Sequence, residues 1–235
     1  METTRTAKKQ EQMNATILAV SKRFGMYKDE KKKEVKKADI KEDHVLKELK
    51  RIWYLWKFPN EFSYELVGDL EKYYKLVLNS LHGLKTLKCT PEDVERFSIA
   101  LADFQEEEDF SKKAGVFLSV VINWARGMDY TIQTEHLEEP IDYIGFKNLK
   151  NITVKGNVGE NVGAIMLRGS ITVEGNAGDW IAPNIVGGKI VIKGDAGKFI
   201  AESTTGGEIH LEGKYGDISS EGKGVKIYHK GELIQ

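Results

Sequence analysis

The chain has 235 residues, of which 40% are hydrophobic and 30% charged, and its formal net charge is −1. That balance describes a folded protein with a sizeable core and speaks against a whole-chain binder of polyanions. Cys89 is the only cysteine, which excludes an intrachain disulfide, and no apolar signal core follows Met1, so a cytoplasmic location is expected.

The near-neutral total hides an asymmetry. Residues 1–60 carry 16 Lys+Arg against 9 Asp+Glu, whereas residues 61–140 carry 8 against 16. Surfaces of this kind commonly offset each other or are simply solvated. Abundant Lys and Glu beside a single Cys is also a composition weighted toward thermophilic proteins.

Residues 1–12 are polar and predict a frayed terminus. Ile17, Leu18, Val20 and Phe24 predict a first amphipathic helix that ends near Gly25. Residues 28–43 form a Lys-rich charge run with no aromatic residues among the lysines. A solvated linker or helix face is the plainer reading, and a nucleic-acid contact is the alternative. Val45, Leu49, Ile52, Trp53, Leu55 and Trp56 recur at helical spacing up to Pro59. Residues 62–87 are again periodic, with Gly68 and Gly83 as break points. Thr90-Pro91-Glu92-Asp93 is a helix start with a capping residue, a proline at the first position and two acids at the positive end of the dipole. The acidic run 106–109 predicts a solvated corner, because consecutive helical positions diverge. Ser111 is expected to cap a last helix ending near Gly127. Its apolar run, 114–124, contains Gly115, Ser119 and Asn123 and reaches only about half the ~20 residues of a membrane span. Trp53, Trp56, Trp124, Tyr73 and Tyr74 fall on helical faces and predict core, and Cys89 predicts a passive buried thiol. Residues 13–128 therefore read as a helical bundle.

The pattern then changes. Tyr130, Ile132 and Thr134 alternate as in a strand, and residues 141–145 imitate the motif that follows, as an imperfect opening coil. Ile152-Thr153-Val154-Lys155-Gly156 returns as Ile171 to Gly175, Ile190 to Gly194 and Ile209 to Gly213, at a constant interval of 19. It returns once more, after an interval of 18, as Ile227 to Gly231. A short fixed period means one unit stacked on itself, and so short a unit has no room for a strand, a crossover helix and a return. A parallel β-helix fits, with Ile152, Ile171, Ile190, Ile209 and Ile227 stacked inward at about 1.5–3 kcal/mol each. Gly159, Gly178, Gly197 and Gly216 form a second column, separated from the first by Asn157, Asn176, Asp195 and Lys214. These are expected to make corners through positive φ, with the Asn side chains forming a ladder. Gly163, Ala182, Ala201 and Ser220 make a column of small residues.

The stretches Val173 to Trp180 and Gly187 to Gly197 resemble the glycine-repeat β-helix at the carboxyl end of glutamate synthase large subunits. They equally resemble the β-helical subunit of formylmethanofuran dehydrogenase. The closing Ile227-Tyr228-His229-Lys230-Gly231 is similar to the archaeal versions. The resemblance covers residues 141–235 and implies a right-handed parallel β-helix that holds neighbouring subunits and carries no catalytic residue. It does not extend to the helical half, and Met166-Leu167-Arg168-Gly169 departs from the Gly-Gly corner of later coils.

No catalytic, cofactor-binding or metal residue is nominated. Gly156 to Gly163 precedes no helix that could hold a pyrophosphate. His44, His82, His136, His210 and His229 share no metal spacing, and His210 and His229 fall in different columns. Trp180 and Phe199 share a column with Asn161 and Ile218. The turn leaves its direction open, with inward corner packing preferred over an exposed aromatic strip. An interface is expected first at the far end, near Ile227 to Ile234 and including Tyr228 and His229, with Trp180 and Phe199 as the alternative. The fold expected is α+β, an N-terminal helical bundle followed by a short right-handed parallel β-helix over 129–235. The function expected is a non-catalytic scaffold, with another subunit or a second copy as partner and no cofactor or membrane. The alternatives are an enzyme with its site between bundle and β-helix, and a nucleic-acid binder acting through residues 28–43.

Overall fold

The computed structural model describes residues 43–56, 67–84 and 87–235. All lie within one compact unit, Lys37–Gln235. The helix expected at 17–24 and the Lys-rich run, but for Asp43, fall outside the described residues.

Among the described residues four α-helices precede the strands: α1 His44–Leu55, α2 Val67–His82, α3 Pro91–Ala100 and α4 Phe110–Trp124, with a 3-10 turn at Leu101–Phe104. Asp43 caps α1 by accepting from the Leu46 amide. Thr90 caps α3 with Pro91 in its first turn, as the sequence predicts, and Asp93 completes a reciprocal capping box with it. Ser111 does not cap α4. The N-cap is Asp109, in the left-handed region at φ 55 without a side-chain cap bond, and Ser111 already lies inside the helix.

Trp53 is fully buried among Phe97, Phe104, Phe110 and Phe117, with ring centroids 5.0–6.2 Å away. Its indole N–H donates to Glu107 Oε1 at 2.8 Å, and Lys113 reaches Glu107 Oε2 at 2.6 Å while lying 4.2 Å over the Trp53 ring. The corner at 106–109 is therefore anchored from within by Glu107. Cys89 is buried, and loss of water together with the nearby Asp93 carboxylate pushes its thiol up to about 12, which makes it inert.

The strands are β1 Asp129–Gln133, β2 Asn151–Lys155, β3 Ser170–Val173, β4 Lys189–Ile192, β5 Glu208–Leu211, β6 Lys226–His229 and β7 Glu232–Leu233. They pair in chain order, parallel from β1 to β6 and antiparallel at β7. This is a β-solenoid of about five turns. Tyr130, Ile152, Ile171, Ile190, Ile209 and Ile227 stand in register, each with at most 2% exposure. The opening coil thus begins at β1. Ile141 pairs with Val158 on the second side of the solenoid, in line with Ala177 and Ala196.

The first glycine column divides in its role: Gly156 and Gly231, at its two ends, have the expected positive φ, 120 and 85. Gly175, Gly194 and Gly213 have no positive φ. Instead, rungs approach closely there: a Cβ on Gly194 would overlap Asn176 Oδ1 and lie 2.6 Å from the Gly175 oxygen. A further column, Gly169, Gly188 and Gly207, has positive φ throughout. The Asn ladder exists, running from side chain to backbone. Asn157 Oδ1 accepts from the Asn176 amide at 2.8 Å, Asn176 Oδ1 from Asp195 at 2.7 Å, and Asp195 Oδ1 from Lys214 at 2.7 Å.

Helices cover the first coil. Ser98 of α3 accepts from the Gln133 amide of β1 at 3.0 Å, and Gln133 donates to Glu95 at 2.8 Å. On the second side α4 takes the place of a preceding rung. Ser111 Oγ accepts from the Asp142 amide at 3.0 Å and donates to the Pro140 oxygen at 2.7 Å. Ser119 Oγ accepts from the Gly145 and Phe146 amides at 2.9 and 3.1 Å. Asn123 accepts from the Leu149 amide at 3.0 Å and donates to the Lys147 oxygen at 3.1 Å. Between them a Cβ on Gly115 would overlap the Asp142 carbonyl. Positions 111, 115, 119 and 123 are four apart, so they line one helix face. Backbone groups that would be orphaned at a solenoid end are satisfied there.

Candidate functional site

The most distinctive surface lies on the corner that follows the Asn ladder. A strand-like alternation from outward Asp179 would carry Trp180 inward. Instead Trp180 and Phe199 both have left-handed backbones, φ 61 and 58. This breaks the alternation, so that Ile181 and Ile200 behind them are fully buried while the aromatic rings turn outward. Inward packing, the preferred expectation, is thus corrected: Phe199 is 43% exposed and Trp180 half-buried. Their rings stack with centroids 4.6 Å apart at 21°, about one rung spacing.

Ile218 does not extend this column. It bridges to Ile200, one position short of a full repeat, and so belongs to the inward column. The residue missing from the last coil is missing at this corner. The small column correspondingly continues through Ser219, whose amide donates to the Ile200 oxygen at 2.8 Å, and Ser220 moves out of it. Nothing among the described residues stacks on the far face of Phe199. The gap is an open depression of about 350 Å³ lined by Trp180, Phe199, Glu202, Asp217, Ile218, Ser219, Ser220 and Glu221.

Three carboxylates stand around these two rings. Asp217 and Glu221 are exposed and Glu202 is half-buried. Glu202 Oε2 is shielded from solvent and finds no hydrogen-bond partner among the described residues. Burial, then the charge of Glu221, raises the Glu202 carboxyl above its ordinary range. Glu221 Oε2 accepts from Ser203 at 3.4 Å.

The far-end residues are arranged differently. Ile227 is fully buried, and β7 folds back over β6, with the Ile227 amide donating to the Gln235 oxygen at 2.8 Å. Ile227 is therefore unavailable as a contact residue. Tyr228 is half-buried and stacks on His210 at 4.5 Å; half-buried His229 packs edge-on to Tyr215 at 4.9 Å, with Nε2 3.1 Å from the Gly213 oxygen. Leu233 and Ile234 of the closing turn are 61% and 42% exposed.

A half-buried acidic column runs along a neighbouring line. Asp142 Oδ1 accepts from the Glu160 amide at 2.8 Å, and Asp179 Oδ1 from the Lys198 amide at 2.8 Å. Burial raises the carboxyls of Asp142 and Glu160, and the neighbouring Asp142 and Asp179 charges add to the effect at Glu160. Among the described residues, no group of three or more His, Cys, Asp or Glu is placed to hold a metal ion, and no helix is long and apolar enough to cross a membrane.

Sequence reasoning found Trp180 and Phe199 but missed Glu202 and the depression. The signal was present in the single shortened interval, 18 in place of 19, but the interval alone does not say at which corner the residue is lost. No family model, no curated protein and no solved structure matches the chain.

Proposed function

We propose that this chain is a scaffold or assembly protein: a helical bundle capping a right-handed β-helix that presents its side to another subunit or to a second copy. The observation that carries this reading is the Trp180–Phe199 stack, with two large rings kept outward by left-handed backbones. Such backbones cost about 1–2 kcal/mol each outside glycine. Exposed aromatic pairs on a rigid frame are characteristic of protein contact surfaces. Right-handedness follows the general rule for crossovers between parallel strands. The repeat's resemblance to β-helices of glutamate synthase and formylmethanofuran dehydrogenase supports a cytoplasmic partner of oxidoreductase type.

The test is co-purification of the full-length chain from its native host, with mass determination in solution. A stoichiometric protein partner or a defined homo-oligomer is expected, and it should be lost in a Trp180→Ala/Phe199→Ala double variant. A monomer that captures nothing and turns over a substrate unaided would overturn the reading.

A further inference from the structure

We infer that the depression beside Phe199 is a seat for a cationic side chain, a lysine or arginine presented by a partner protein. This rests on the scaffold reading and names the chemistry of its partner.

The shortened last coil leaves the outer face of Phe199 without a covering residue, whereas Trp180, one rung earlier in the column, is covered by Phe199 itself. An aromatic face attracts a cation above it. Around that face the chain supplies three carboxylates, Glu202, Asp217 and Glu221, and no lysine or arginine lines the depression. Glu202 Oε2 is shielded from water and unpartnered among the described residues. Glu202 also lines the depression, so an ammonium or guanidinium group arriving over Phe199 would meet a half-buried carboxylate with which it can form a charge-assisted contact. Asp217 and Glu221 at the rim would draw such a group in and exclude acidic partners. An apolar plug would offer the three carboxylates no counter-charge, and an anion would meet three negative charges.

The probe is a deca-arginine peptide titrated into the full-length chain at near-physiological salt, read by calorimetry and by the change in tryptophan emission. Measurable binding is expected. Glu202→Gln/Glu221→Gln should weaken it about tenfold, and Phe199→Leu should do so by a similar factor, since charge and ring act on one group. Glu174→Gln, away from the depression, should leave it unchanged. Circular dichroism and melting of each variant establish that it is folded. Absence of binding to the wild type would overturn the inference. So would loss in the acid variant with full binding in Phe199→Leu, which is the signature of general surface attraction. The scaffold reading is judged separately. If the native partner still co-purifies with the acid variant, the seat fails and the scaffold stands. If peptide binding behaves as expected while no partner or oligomer is found, the seat stands and the scaffold fails.

Discussion

At the scale of single residues, crowding between rungs dominates. Gly194→Ala is expected to destabilise the protein by about 1–3 kcal/mol, as overpacking does, because its Cβ would run into Asn176 and the Gly175 carbonyl of the rung below. Gly231→Ala meets nothing within 4 Å but has φ +85, so only the backbone cost of about 1 kcal/mol applies. Comparing the two by chemical denaturation separates proximity from conformation. The acidic column gives a pH dependence with a definite sign. Asp142 and Glu160 have raised carboxyl pKa values in the fold, so the folded chain holds their protons to higher pH than the unfolded chain does. Their contribution is fully present below the ordinary carboxylate range and is lost as pH rises through the raised values. Asp142→Asn keeps an acceptor for the Glu160 amide and removes the charge. Relative to wild type its stability should rise as the pH goes from 4 to 7, measured by melting across that range. Asp43, Glu71 and Glu174, held low chiefly by the Leu46 amide with Arg96, by Lys147 and by Lys155, act in the opposite direction and are common to both proteins.

At the scale of elements, α4 matters most. Ser119→Ala removes the acceptor for two amides of the opening coil. It is expected to cost about 1–3 kcal/mol, the penalty of leaving buried donors unsatisfied, while an exposed control such as Ser80→Ala should change little. Hydrogen exchange at Gly145 and Phe146 should speed up in Ser119→Ala. How much of this was legible varies with range. Period, register and the inward isoleucines could be read directly, because a strict repeat aligns identical environments. The cap at Thr90 could also be read, being local chemistry, though Asp93's reciprocal bond to it could not. The role of Ser111, Ser119 and Asn123 could not: their partners are 24–31 residues away, and a sequence shows only that polar residues interrupt an apolar run. The outward turn of Trp180 was hidden for a related reason. Its left-handed φ breaks the alternation from which direction is inferred, and it occurs at a residue that does not announce it as glycine would. The glycine columns were located correctly, but positive φ accounts for Gly156 and Gly231 and not for Gly175, Gly194 and Gly213, since tolerance of positive φ and tolerance of a close neighbour leave the same letter.

At the scale of the whole molecule, helices and solenoid share a continuous buried core, from Leu46 and Trp53 through Phe117, Ile132 and Phe146 to Ile227. In a Trp180→Phe background, Trp53, Trp56 and Trp124 report on the helical half. Their fluorescence and the far-ultraviolet strand signal should therefore lose structure in one coincident transition; separated midpoints would show that the two halves fold independently. A cap at one end also bears on self-association. Exposed sheet edges template further pairing, and here α3 covers β1 while β7 turns back over β6.

The constant interval between β2 and β5 has a genetic corollary. Each stretch from one isoleucine to its counterpart is interchangeable in length with the next, and the structures that close the two extremities lie outside these stretches. Splicing in a duplicate of residues 171–189 should therefore yield a taller molecule by one storey, with both terminal fittings unchanged. In this light the gene behaves as a tape that lengthens or shortens by whole units.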